Sequence, residues 1–303
     1  MRVSVVLCTY TMDMYPHFED AADSVLEQTH DDVELVVVVD GDEEVYERVR
    51  EAYGEREDTI VHCNEGNRGL SYSRNRGIER STGDVVAFLD DDAIAEPNWV
   101  AELVAGYERR DALAVGGTMT PIWVAGEPDF LPEEFYWLVG VTHRGYPTAE
   151  QEVRNTFGSN ISFRRHVLET LGGFDNDLGR KGDEQGQGEE TELAVRLYRE
   201  YGERVWYVPD ARVGHKVFDY RTDPKWLLNR AFQQGYSKRA MADVGSSSGA
   251  ESDFLKRLMF EFAPARAREL VRTPSLARVE QFVMVFVFTF VVGMGYLYGV
   301  FDY

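Results

Sequence analysis

Cysteine is nearly absent from this chain: 303 residues contain two, Cys8 and Cys63, and no Cys-x-x-Cys pair. A disulfide framework and a thiolate zinc site are thereby excluded. Cys8, inside an apolar run, reads as an ordinary small core residue. Lysine is also scarce, with five, at positions 181, 216, 225, 238 and 256, among 32 basic residues. Acidic residues number 53, which leaves a net charge of −21. Nucleic acid needs a basic face to bind its phosphates, so that class of partner is excluded. High acidity with little lysine resembles proteins from high-salt cytoplasms, where screening makes self-repulsion tolerable. Two phosphate-binding loops are missing as well. The first strand leads into Cys8-Thr9-Tyr10-Thr11-Met12 without Gly-x-Gly-x-x-Gly, and Gly-x-x-x-x-Gly-Lys-Ser/Thr occurs nowhere. A dinucleotide-binding Rossmann site and a P-loop are therefore ruled out. Any diphosphate here has to be held by a metal and by arginine.

What is present is ample core material: 44% apolar residues, with 16 Tyr, 17 Phe and 5 Trp. Apolar runs at 3–8, 33–39 and 84–89, and a shorter one at 59–62, read as strands. Helical stretches lie between them, such as Phe18, Ala21, Ala22, Val25 and Leu26 at spacings of three and four. Strands separated by helices predict right-handed βαβ units, hence an α/β fold with a mainly parallel sheet. Beyond this, Ala112–Val115 reads as a strand and an aromatic, Pro-containing segment runs to 147. The polar, glycine-rich stretch 179–188 reads as a loop without regular structure, 189–201 and 224–240 as helices, and 245–250 as a Ser/Gly linker. The chain starts directly in the strand Val3–Leu7 with no signal peptide, so the catalytic part is expected in the cytosol.

The far C-terminus is different. Phe282–Phe301 is twenty residues without a charge, which at ~1.5 Å each matches a bilayer core of about 30 Å. The preceding stretch 254–280 carries six basic residues against three acidic ones, +3 in an acidic chain. A basic flank before an apolar helix fits a membrane helix near anionic lipid, with the flank on the cytoplasmic side. The expected organisation is a catalytic domain at 1–223, a helical basic segment at 224–281 and a transmembrane helix at 282–301.

Three consecutive aspartates, Asp90, Asp91 and Asp92, follow the run Val85–Leu89. In open α/β sheets, ligands bind beyond the carboxyl ends of the strands. Packed like charges are costly unless a cation sits on them, and Mg²⁺ is usually held by one or two carboxylates plus phosphate oxygens. The second strand ends in Asp40 at the same edge. The segment Asn67–Gly77 opens a helix carrying Arg74, whose guanidinium fork suits a diphosphate or base.

These residues carry a resemblance. SVVLCTY, VVVVDGD, the block N-R-G-L-S-x-S-R-N-x-G-I and FLDDD occur in this order, followed by GSNISFRR at 158–165, LGGFD at 171–175, GEETEL at 188–193 and VGH at 213–215. Together they resemble the family 2 inverting glycosyltransferases of the GT-A fold, over residues 3 to about 240. The resemblance implies a nucleotide-sugar donor, with Thr9, Tyr10 and Asp40 on the base, Arg74 on the nucleotide, Asp90 on the ribose and Asp91 beside it. It implies Asp92 as a ligand of Mg²⁺ or Mn²⁺, with His215 near metal and diphosphate. The general base falls on Glu190, where the family's Gly-Glu-Asp motif is Gly188-Glu189-Glu190; the extra methylene leaves Glu189 or Glu192 open.

The Gln-x-x-Arg-Trp of processive synthases is missing, so a single sugar addition is expected. The apolar helix points to a lipid-borne acceptor, whose local concentration anchoring raises. The chain is similar to transferases that assemble N-glycans on dolichyl phosphate at the cytoplasmic side of the cell membrane, and a UDP-linked hexuronic acid such as glucuronate is the expected donor; the alternatives are a UDP- or GDP-hexose transferase to another polyprenyl-phosphate or glycolipid acceptor, and a non-catalytic, membrane-anchored binding protein on the same fold. Arg164, Arg165 and Arg180 are candidates to pair with a sugar carboxylate.

Overall fold

The computed structural model describes residues 1–178, 180–181, 184–185, 188–243 and 254–302. The chain packs as two units, Met1–Thr120 with Pro147–His215, and Pro121–Tyr146 with Lys216–Tyr303. The sequence-based boundary at 223 thus falls inside the second unit, because the aromatic segment packs with the C-terminal helices. The expected linker 245–250 lies outside the described residues.

The first unit opens β1 (Val3–Thr9), α1 (Tyr15–Leu26), β2 (Val33–Val39), α2 (Glu43–Tyr53), β3 (Thr59–Cys63), α3 (Leu70–Arg80) and β4 (Val85–Asp90). It continues through β5 (Ala93–Ala95), α4 (Trp99–Arg110), β6 (Ala114–Trp123), β7 (Gln151–Val153), β8 (Ile161–Arg164) and α5 (Arg165–Leu171). Then come β9 (Arg180–Lys181), β10 (Glu184–Gln185), α6 (Glu189–Tyr201) and β11 (Val205–Val217). Among the described residues one sheet runs β3-β2-β1-β4-β8-β6-β11-β5, with β7 on β11. The four alternating strands are parallel, as their βαβ pattern requires, while β8 enters antiparallel to β4 and β6. The sheet is therefore mixed beyond β4.

Burial on both faces explains the continuous apolar runs: Val36–Val39 and Val85–Phe88 are fully enclosed. Helix α1 buries Phe18, Ala21, Ala22 and Val25, the stripe its spacing predicts. Helix α2 begins where Asp42 accepts from the Val45 N–H at 3.0 Å. The glycine-rich stretch corrects one expectation. Arg180–Lys181 and Glu184–Gln185 pair as a short antiparallel ladder, because extended backbone can satisfy its own amides across two residues.

The second unit holds a short 3-10 helix (Glu133–Val139), α7 (Pro224–Asp243), a π-helical turn (Leu258–Phe262), α8 (Ala263–Arg272) and α9 (Leu276–Asp302). Helices α7 and α9 pack at backbone distance. A Cβ added to Gly235 would lie 2.0 Å from the Val292 carbonyl oxygen, and one on Gly295 2.0 Å from that of Phe232. Helix α9 is long and apolar enough to cross a membrane by length and composition.

Candidate active site

The carboxyl ends of β1, β2 and β4, the start of α6 and one turn of β11 bring the predicted residues together within the first unit. Strand β4 ends at Asp90, whose backbone N–H donates to Ser159 Oγ at 3.0 Å. Its carboxylate accepts from Arg74 at 2.8 Å, and the other terminal nitrogen of Arg74 donates to Glu189 Oε1 at 3.0 Å. Arg74 is only 3% exposed. Its guanidinium also lies 5.3 Å from the Phe174 ring centre, a favourable cation–π distance. Burial works against its charge, but Asp90 and Glu189 more than offset that and raise its pKa. The structure thus places Arg74 between two carboxylates rather than facing an open cleft. It lies on the buried side of α3, where an unpaired cation would be costly.

Asp40 follows β2 and is occupied in a comparable way. It accepts from the backbone N–H groups of Arg68 and Gly69 at 2.9 and 2.8 Å and from Asn64 Nδ2 at 2.8 Å. A carboxylate has about four acceptor sites, so one remains for a base edge. The arrangement depends on Gly41, whose φ is +82° and whose added Cβ would lie 2.1 Å from the Gly66 carbonyl carbon. Thr9 is buried at the end of β1, and its carbonyl accepts from the Asp40 N–H at 2.8 Å. Tyr10, next along, is 55% exposed.

Asp91 and Asp92 form the turn between β4 and β5. Burial pushes the Asp91 carboxyl well above the usual carboxylate range; the Asp92 charge adds to this, and the Thr9 hydroxyl works against it. Asp91 Oδ2 finds no hydrogen-bond partner among the described residues. Strand β11 sets His215 opposite Ala93 of β5, and its Nε2 lies 3.4 Å from Asp92 Oδ1. Among the described residues no three His, Cys, Asp or Glu side chains form a ready-made cage. An orphaned carboxylate oxygen beside a buried Asp–His pair nonetheless fits a hard cation that takes its remaining ligands from phosphate and water.

Helix α6 carries Glu189, Glu190 and Glu192 in its first turn, where the helix dipole favours them. Their surroundings separate them. Glu189 is tied to Arg74, and Glu192 forms a bidentate pair with Arg196 at 2.6 and 2.7 Å. Arg196 is itself anchored on the Leu171 and Gly173 carbonyls. Glu190 has neither clamp. Burial and the neighbouring Glu189 charge push its pKa from 4.5 up to about 7.

Two of the three candidate sugar-carboxylate partners do not reach this edge. Arg164 pairs with Val85 at the opposite end of β4 and bonds Asp111 at 2.7 Å, and Arg165 bonds Glu169 at 3.3 Å. The Arg180 side chain lies outside the described residues. Sequence reasoning did not single out Ser159, Asn64 or the bridging role of Glu189. Each acts through a partner far away in the chain, and only the Gly-Ser-Asn block hinted at Ser159.

Residues 4–172 match the model of the family described as Glycosyl transferase family 2. A glucosyl-dolichyl phosphate glucuronosyltransferase of Haloferax volcanii is 52% identical over 301 residues, covering 99% of this chain and 96% of that protein. The succinoglycan biosynthesis protein ExoM of Rhizobium meliloti is 30% identical over 220 residues, covering 69% and 67%. Among solved structures, the mannosyltransferase PcManGT from Pyrobaculum calidifontis in complex with GDP-Man and Mn²⁺ superposes with a TM-score of 0.63. It is 18% identical, over 99% of this chain and 87% of that one. GalNAc-T7 with UDP, GalNAc and Mn²⁺ gives 0.57 at 18% identity, over 84% and 54%. At such identity the likeness shows the fold alone, and that fold is GT-A.

Proposed function

The chain belongs to glycosyl transferase family 2, and from that premise we propose that it moves glucuronate from UDP-glucuronate to glucosyl-dolichyl phosphate, with inversion. The nearly full-length similarity to the Haloferax volcanii enzyme supports this donor sugar and acceptor. The observation that carries the mechanism is the difference among the three glutamates of α6. Two are locked in ion pairs, and the third has a pKa near 7.

In this reading Glu190 accepts the proton of the acceptor hydroxyl as that oxygen attacks the anomeric carbon. The bond to the diphosphate breaks on the opposite face and its electron pair leaves with the nucleotide. A base whose pKa lies near the working pH combines the correct charge state with useful basicity. Arg74 holds Asp90 toward the ribose and Glu189 beside the base, so one buried cation sets both halves of the site. Thr9, Tyr10 and Asp40 line the nucleotide end. Asp92 and His215 would hold Mg²⁺ or Mn²⁺, with the free oxygen of Asp91 alongside. A divalent cation bound there supplies positive charge to the leaving diphosphate. The acceptor is lipid-borne, and α9 with its basic flank associates the enzyme with the cytoplasmic face of the cell membrane.

Full-length protein in lipid, given UDP-glucuronate and a glucosyl phosphopolyprenol, tests the assignment. The expected product carries one β-linked glucuronate, and UDP appears in equal amount. An α-linked product would exclude single displacement by Glu190, and turnover only with a neutral-sugar donor would exclude glucuronate.

A further inference from the structure

We propose that α9 does not cross the bilayer but lies in the plane of an anionic membrane surface, with one face sunk to the acyl boundary. This rests on the membrane association proposed above and fixes its topology. The helix has two unlike faces. Val285 and Phe288 are fully buried, with Gly295 and Gly299 continuing the same stripe against α7. The opposite side carries Val283, Phe286, Phe290, Met294, Leu297 and Phe301, at spacings of three and four, all exposed, and it widens in the last turns to include the exposed Tyr296, Tyr298 and Val300. Phe290 and Phe301 are 68% and 89% exposed. Clamped along one side by α7, this helix of about 40 Å meets lipid only on its remaining side, which suits an interface better than a surround of lipid.

Both ends of α9 are bound to polar protein. Near its start, Gln281 donates to the Asp129 carbonyl at 2.9 Å and accepts from Arg266 at 2.7 Å. Arg266 in turn forms a buried pair with Glu134 of the 3-10 helix, 2.9 Å away. Phe288 is packed on Phe135 of the same 3-10 helix, with ring centres 5.3 Å apart. Beyond Phe288 only thirteen residues, Thr289–Phe301, remain in the apolar run. They reach about 20 Å, short of the ~30 Å a crossing requires.

The far end is flanked by charge. A Cβ on Gly299 would sit 3.1 Å from the Arg239 side chain of α7. Along the same partner helix lie Arg230 and Lys238, together with Gln233 and Gln234. Sinking α9 across the membrane would carry α7 with it and place these groups in hydrocarbon, which is expensive. Laid in the plane, the exposed stripe enters the acyl region while α7 stays on the watery side.

Charge complementarity names the surface. The second unit holds 13 basic and 13 acidic residues, so the whole net charge of −21 belongs to the first unit. Within the neutral unit, stretch 254–280 is the cationic part, and it runs directly into α9. Lipid phosphates are the matching counter-charge.

The full chain in a Cys8→Ala, Cys63→Ala background can carry single cysteines at Val283, Phe290 or Leu297, each labelled with a polarity-sensitive fluorophore. Vesicles of phosphatidylcholine and phosphatidylglycerol would contain nitroxides placed either shallow or deep in the acyl chains. The three exposed sites should all be quenched better by the shallow nitroxide, and to similar extents. Phe290→Glu should weaken vesicle binding about tenfold or more, since it removes one buried aromatic from the interface. Deep quenching at Phe290 with shallow quenching at the flanks would establish a crossing helix and overturn the proposal. Failure of every labelled protein to float with vesicles, while each still transfers sugar to a short-chain acceptor, would overturn membrane association itself.

Discussion

Glu190 shows how environment sets chemically identical side chains apart. Glu189 and Glu192 sit one and two residues away, yet each faces a guanidinium, whereas Glu190 is buried next to a like charge. Glu190→Gln should lower kcat by roughly 10²–10⁴-fold while leaving the Kd for UDP-glucuronate nearly unchanged; unchanged turnover would move the base elsewhere. Because the proposed base acts deprotonated, the rate should fall about tenfold per pH unit below about 7 and level off above it. The effect on stability has the opposite direction. A carboxyl whose pKa is raised on folding contributes stability that is full below 4.5 and lost as pH rises through about 7. Asp92→Ala should remove the dependence of donor affinity on Mn²⁺, measured by calorimetry with and without chelator. Arg74→Ala strips the cation from two carboxylates, one of them buried with it. Loss of a buried ion-pair partner costs about 3–5 kcal/mol, so chemical denaturation should show a drop of that order.

At the scale of elements, the site depends on how the strand ends are joined. The turn after β2 and the loop before α3 touch through Gly41 and Gly66, and that contact lets Asp40 collect the Arg68 and Gly69 amides. Gly41→Ala adds a Cβ in a left-handed conformation and against backbone. It should destabilise the protein by about 2 kcal/mol or more and weaken nucleotide binding in parallel, read as linked shifts in Tm and donor Kd. The strands β1 to β4 and helix α1 were legible in the sequence because buried parallel strands are uninterrupted apolar runs and α1 keeps a helical spacing. The positions of Asp40, Asp90 and Asp92 followed from those strand ends. Less legible were contacts with no local signature. Nothing in the run Leu70–Arg80 says that Arg74 faces inward onto Glu189, 115 residues later. The ladder within 180–185 was hidden by a composition that favours loops, and the packing of α9 on α7 is marked in the sequence only by scattered glycines.

For the molecule as a whole, the uneven charge has a consequence that can be measured. Forty acidic residues against 19 basic ones lie in the first unit, while the second is balanced. Self-repulsion within the first unit depends on ionic strength, since the Debye length grows from about 3 Å at 1 M salt to about 30 Å at 0.01 M. At low salt many more carboxylate pairs therefore feel one another, and the compact state of that unit loses stability. The second unit has no such net repulsion, and its Glu134–Arg266 pair is buried, where salt screens little. Hydrogen exchange on the full chain in lipid, followed as KCl is lowered from molar to tens of millimolar, should show amides of β1 to β4 losing protection first. Those of α7 and α9 should hold. If both sets loosened together, the salt dependence would not follow the charge, and the acidic surface would be acting through something other than repulsion within the catalytic unit.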